Sequence, residues 1–198
     1  PVMKKITLIL AALFTFAAFA QTEEEMKAYM DYLTPGPFHK HLAQSEGNWD
    51  YQMKIFAEPG KEPAIEKGTA IGEMILGGRY LQMKHDGTAW GMPFQAIQIF
   101  GFDNVKQEFL AYWIDNMSTG FTVSSGKMDF NKGYLEMSGS FVDAAMKKEV
   151  NFRCVLKSSD VDHFTIEMFV TREKTSRSCG RPPTQGKNSS RYRGWINC

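Results

Sequence analysis

The residues best suited to metal or acid–base chemistry are the four histidines, His39, His41, His85 and His163. His39 and His41 stand two apart in Phe38-His39-Lys40-His41, which could begin a metal site. No H-x-x-E-H or C-x-x-C spacing accompanies them, so the pair reads as surface or turn residues and no metal is predicted. His163 follows Asp160 and Asp162 where a turn enters a strand, and reads as solvated. His85, in Met83-Lys84-His85-Asp86-Gly87, lies close to Trp90 and is the histidine placed to line a site. No cofactor is predicted. Haem held through one histidine, as in some small β-barrels, is kept only as an alternative, since one unplaced histidine is weak support for it.

Nucleophilic and phosphate chemistry have less support. There is no G-x-S-x-G, and Ser124-Ser125-Gly126 reads as a strand-end turn. Gly77-Gly78-Arg79 lacks the lysine and helix start of a phosphate loop, so Arg79 reads as a turn anchor or a partner for Glu73. Asp103, Glu108 and Asp115 could do general acid–base work, but acids at strand ends are usually solvated. No enzyme motif is present. A set of aromatic residues and methionines on or beside strands is more suggestive, because such linings suit an adaptable apolar pocket.

The elements that carry these residues follow from periodicity. Met26, Tyr29, Met30 and Leu33 have helical spacing, predicting a helix from Glu23 to about Leu33. Thr22 and Glu25 form a capping-box pattern, and Thr34-Pro35-Gly36-Pro37 stops the helix. A second short turn spans Phe38 to Ser45. From Gly47 the pattern changes to strands, read at 47–57, 65–76, 79–86, 94–102, 107–115, 120–130, 134–142, 148–157 and 162–171. Breaks include Gly77-Gly78, Asp86-Gly87, Asp103-Asn104 and Asn131-Lys132-Gly133. In the first strand Trp49, Tyr51 and Met53 alternate with Asp50, Gln52 and Lys54. This pattern, with no helix between strands, predicts an all-β fold: an antiparallel up-and-down barrel of about 9–10 strands with a short N-terminal helix.

Gly47-Asn48-Trp49, opening the first strand after a helical lead-in, resembles the G-x-W signature of lipocalin-type barrels. The ordered set continues with Gly77-Gly78-Arg79-Tyr80-Leu81, Gly91-x-Pro93-Phe94, Gly101-Phe102-Asp103 and Trp113-Ile114-Asp115. With the export-type leader described next, it resembles domain-of-unknown-function family 1579, a bacterial family often exported and considered lipocalin-like. The resemblance runs from about Phe38 to Thr171 and implies a barrel whose interior accepts a small molecule. It implies no activity. After Val170 the sequence departs from the family's pattern, where a further strand is expected.

The formal net charge of +1 averages three unlike segments. Met3-Lys4-Lys5, an apolar stretch from Ile6 to Phe19, and Ala18-Phe19-Ala20 form a signal peptide over residues 1–20, with Pro1 and Val2 upstream of the initiator. The apolar run is shorter than the roughly 20 residues that span a bilayer, so no stable membrane anchor is expected after cleavage. A periplasmic or secreted location follows. The body Gln21–Thr171 holds 14 basic and 21 acidic residues, a net −7 that argues against nucleic acid. The remainder, 172–198, is strongly basic and patternless and reads as frameshifted or disordered. Permissible codons for Lys174–Ser189, shifted by one base, encode a Thr/Tyr-rich strand and then a stop. With that tail set aside Cys154 is the single cysteine, flanked by apolar residues as a buried hydrophobe would be.

The expected organisation is thus a leader at 1–20, a helical lead-in at 21–46, a barrel at 47–171 and the tail. Cavity candidates are Trp49, Tyr51, Met53, Tyr80, Met83, Phe94, Phe100 and Trp113. Arg79, His85 and Asp115 are candidates for polar groups at the barrel mouth. The expected partner is a small apolar or amphipathic ligand. The rival readings are an enzyme using one of the polar mouth groups, and a solid barrel serving as an envelope interaction module.

Overall fold

The computed structural model describes residues 22–56, 61–160, 162–173 and 189–197. The expected signal peptide and residues 174–188 of the tail lie outside them. The chain divides into two compact units at Thr34/Pro35.

The first unit, from Thr22, is helix α1 (Glu23–Leu33). Its capping box is complete: Thr22 Oγ1 accepts from the Glu25 amide at 3.1 Å, and Glu25 Oε2 accepts from the Thr22 amide at 2.8 Å. Glu23, Glu24 and Glu25 complement the helix dipole, and Lys27 pairs with Asp31 one turn on.

The second unit opens with α2 (Pro37–Leu42) and a single 3-10 turn at Ala43–Ser45, then forms ten strands. These are β1 (Gly47–Ile55), β2 (Ala64–Ile75), β3 (Tyr80–Ala89), β4 (Met92–Asp103), β5 (Glu108–Asp115), β6 (Thr122–Asp129), β7 (Tyr134–Asp143), β8 (Lys148–Ser158), β9 (Phe164–Glu173) and β10 (Ser189–Asn197). Every neighbour is antiparallel, and the order β1-β10-β9-β8-β7-β6-β5-β4-β3-β2 closes the sheet. Closure removes unpaired edges, as the up-and-down reading anticipates. β9 extends two residues past the boundary drawn at Thr171. β10 stands within the segment expected to be a patternless tail, pairing with β9 from Ser189↔Glu173 to Asn197↔Thr165 and with Gln52–Ile55 of β1.

Three hairpins share one turn chemistry. Asp103, Asp129 and Asp143 end their strands, and each Oδ1 accepts the amides two and three residues on at 2.9–3.1 Å. Four residues after each aspartate the backbone turns left-handed, at Gln107, Gly133 and Lys147. At Asp103 the Lys106 amide, and at Asp129 the Lys132 ammonium ahead of the turn amides, hold the carboxyl below its usual range.

One expected break is misplaced. Asp86-Gly87 lies inside β3, and the turn falls at Trp90-Gly91, both left-handed at φ 51° and 73°. Gly87 serves a close approach: a Cβ there would come within 2.7 Å of Tyr51 Oη.

The core has two parts. The larger gathers Leu42, Tyr51, Leu81, Met83, Phe100, Phe102, Phe109, Met137, Phe152 and Cys154, with Phe109 and Met137 fully buried. The smaller gathers Ala89, Phe94 and Ala96, with Met53, Trp113 and Met117 packed against it.

Candidate functional site

Register places three strands' chemistry in one row on the inner face. His85 of β3 pairs with Ala96 of β4, and Ala96 pairs with Asp115 of β5. His85 also pairs with Ala70 of β2, which is 1% exposed, so small side chains flank the imidazole on both sides. That leaves room for rings from further away. Tyr51 reaches the imidazole from β1, with ring centroids 5.8 Å apart, passing over Gly68 and Gly87. From β5, Trp113 lies 5.1 Å from the same imidazole and stacks on Phe94 at 6.2 Å. The result is an inner wall running Tyr51, His85, Trp113, Phe94.

Its polar groups are fixed unequally. The Trp113 indole donates to Asp115 Oδ2 at 2.7 Å, and Asp115 Oδ1 accepts from the Met117 amide at 2.9 Å. His85 Nε2 is buried and has no hydrogen-bond partner among the described residues. Burial also pushes the His85 imidazole down to about 4, so the ring is neutral near pH 7. A neutral imidazole offers one donor and one acceptor, which suits it to an uncharged polar group.

The sequence candidates divide around this wall. Tyr51, Met53, Phe94, Trp113, His85 and Asp115 converge on the inner face of the smaller core and its border. Trp49, Met83 and Phe100 also face inward but belong to the larger core, where Trp49 donates to the Ser45 carbonyl at 3.0 Å and packs on Phe164.

A profile of one family matches residues 34–178, most of the second unit. The chain belongs to the family described as Protein of unknown function (DUF1579). No curated protein matches it.

Two candidates are corrected by the geometry of this DUF1579 barrel. Tyr80 lies on the outer face, 38% exposed, with its ring over the outer side of Gly101. Sidedness alternates along a strand, so Tyr80 and Met83, three apart, cannot both point inward. Arg79 is not at the mouth with His85 and Asp115. It sits in the β2–β3 turn, donating to the Leu76 carbonyl at 3.2 Å, whereas Asp115 ends β5 at the opposite end of the meander. Its turn-anchoring role is the one expected.

The other chemistry-bearing residues of the DUF1579 chain have structural settings. His39 is 5% exposed rather than at the surface, and its Nδ1 accepts from the Gly36 amide at 3.0 Å. His163 is exposed and pairs with Asp160 at 2.8 Å, chiefly through a hydrogen bond that raises its pKa. Burial pushes the Cys154 thiol up to about 11, leaving it an unreactive core group. No group of three or more His, Cys, Asp or Glu suited to a metal occurs among the described residues. Sequence reasoning missed Ala70, Ala89 and Ala96. Their signal was small residues at every second position beside bulky ones.

Proposed function

We propose that this DUF1579 chain is an exported barrel that binds a small amphipathic molecule against the wall formed by Tyr51, His85, Trp113 and Phe94. One observation carries the reading: a buried ring nitrogen, His85 Nε2, faces an apolar and aromatic interior with no hydrogen-bond partner among the described residues. An orphaned buried polar atom costs about 1–3 kcal/mol, and a ligand group that bonds to it removes that cost. Met53, His85, Gln98 and Trp113 are at inward register positions yet only half-buried, which supports room between them. The leader from Met3 to Ala20 supports export.

Native mass spectrometry of the chain purified from its own host tests the binding. A retained small molecule, lost in His85→Phe, is the expected result. An apo mass, together with failure of the neutral dye Nile red to bind, would contradict it. N-terminal sequencing of the exported protein should begin at Gln21.

A further inference from the structure

We infer that the site selects an uncharged amphiphile, an apolar chain ending in a hydroxyl or carbonyl group, and rejects a carboxylate-ended chain of the same length. This deepens the binding reading above and rests on it. The argument is the distribution of charge on the inner face. Apart from Glu66 near the open end of β2, the inward register positions between the two ends of the barrel, in β1–β8 and in Phe164–Val170 of β9, carry aromatic, aliphatic, small and neutral polar residues. Among the residues whose side chains are described, the one cation at such a position is Lys148, exposed at the rim and opposite Asp143 in register.

Carboxylates, by contrast, stand around the same end. Asp115 is one residue along the inward row from His85, separated by Ala96, and its two oxygens hold the Trp113 indole and the Met117 amide. Glu66, opposite Met53 in register, accepts from Thr88 Oγ1 and from the Gly91 amide at 3.2 Å. Asp143 accepts from the Ala145 and Met146 amides, both at 3.0 Å. These acids are fixed by donors that need them as acceptors.

A carboxylate brought to the depth of His85 therefore meets a neutral imidazole and a nearby like charge, with no ammonium or guanidinium at that depth among the residues whose side chains are described. Burying an unpaired anion is strongly unfavourable. A hydroxyl or carbonyl at the same place needs only the single hydrogen bond that His85 Nε2 can make as acceptor or donor.

The test compares decanol with decanoate as competitors of bound Nile red on the full chain, at about pH 8, where the acid is ionised. Decanol should displace the dye at least about tenfold more effectively than decanoate, a difference of about 1.4 kcal/mol. Asp115→Asn should narrow that gap. His85→Phe, checked for folding by circular dichroism, should lose most of the preference for decanol over decanoate. If that variant does not fold, His85→Gln, which keeps a hydrogen-bonding group, should retain the preference for decanol. Equal or tighter binding of decanoate overturns the inference and leaves the binding reading standing. Failure of the dye itself to bind removes both.

Discussion

The wall around His85 makes a quantitative demand on stability. In the unfolded chain this imidazole titrates near its ordinary value of 6.5, whereas in the barrel burial holds it down to about 4. The unfolded state therefore binds more protons between those values, and stability falls as pH falls through that window. Above about pH 7 both states are neutral at this position and the contribution is fully present. A shift of this size corresponds to about 3 kcal/mol in total, of which about 2 kcal/mol is lost between about pH 7 and about pH 4.5. His85→Gln keeps a polar group and removes the titration. Urea unfolding of both proteins at the two pH values gives a double difference. Shared contributions cancel in it, including those of buried His39, of His163 with Asp160, and of the turn aspartates Asp103 and Asp129. With a urea slope of about 2 kcal/mol/M, the wild-type midpoint should drop about 1 M further than that of the variant. Parallel pH dependences in the two proteins would refute the claim that His85 is held neutral inside the barrel.

Three further outcomes follow from the packing. Met137→Ala should cost about 2–5 kcal/mol in chemical denaturation, since that side chain is 1% exposed in the middle of the larger core. Gly126→Ala should destabilise by about 1–3 kcal/mol or more, because a Cβ there would fall on the Glu136 carbonyl of the facing strand. Trp90→Asn should raise the melting temperature, gaining up to about 1 kcal/mol, because Trp90 is left-handed and 65% exposed in a turn that favours asparagine; a lower melting temperature would count against the turn assignment.

Much of the barrel is legible in the chain because its strands have one buried face. In β1 the alternation of Trp49, Tyr51 and Met53 with charged and polar residues sets both the strand and its sidedness, and the Asp-started turns mark where β4, β6 and β7 end. The capping box of α1 is equally local, needing only Thr22 and Glu25. The failures have a common cause, in that the deciding partner is distant in sequence. Gly87 looks like a turn residue next to Asp86, yet its role is set by Tyr51, 36 positions away. Tyr80 looks like a cavity ring until the register fixes Leu81 and Met83 inward. The site itself is defined as much by Ala70 and Ala96 as by its rings. An alanine carries no chemical signal until its cross-strand neighbour is known.

The two ends of the barrel differ in their packing, which bears on where the proposed ligand would enter. At the end carrying α2, Phe38 lies 4.3 Å from Phe102 and 5.5 Å from Phe109, with Phe130 at 6.1 Å. Leu42 is buried there as well, and Trp49 is pinned to Ser45. Rings in mutual contact at this density leave a hydrophobic plug with its polar atoms satisfied, as close-packed interiors require. The opposite half has the same aromatic character but a different composition around it. Glycine and alanine separate Tyr51, His85 and Trp113, and Met53 and Met117, whose side chains adapt readily, complete the surface. The plug accounts for stability without any orphaned polar atom. The half containing His85 holds a buried nitrogen without a hydrogen-bond partner among the described residues, and carboxylates stand near it. For the proposed ligand, entry from the β3–β4 and β5–β6 turns, past Asp115, would leave the plug intact.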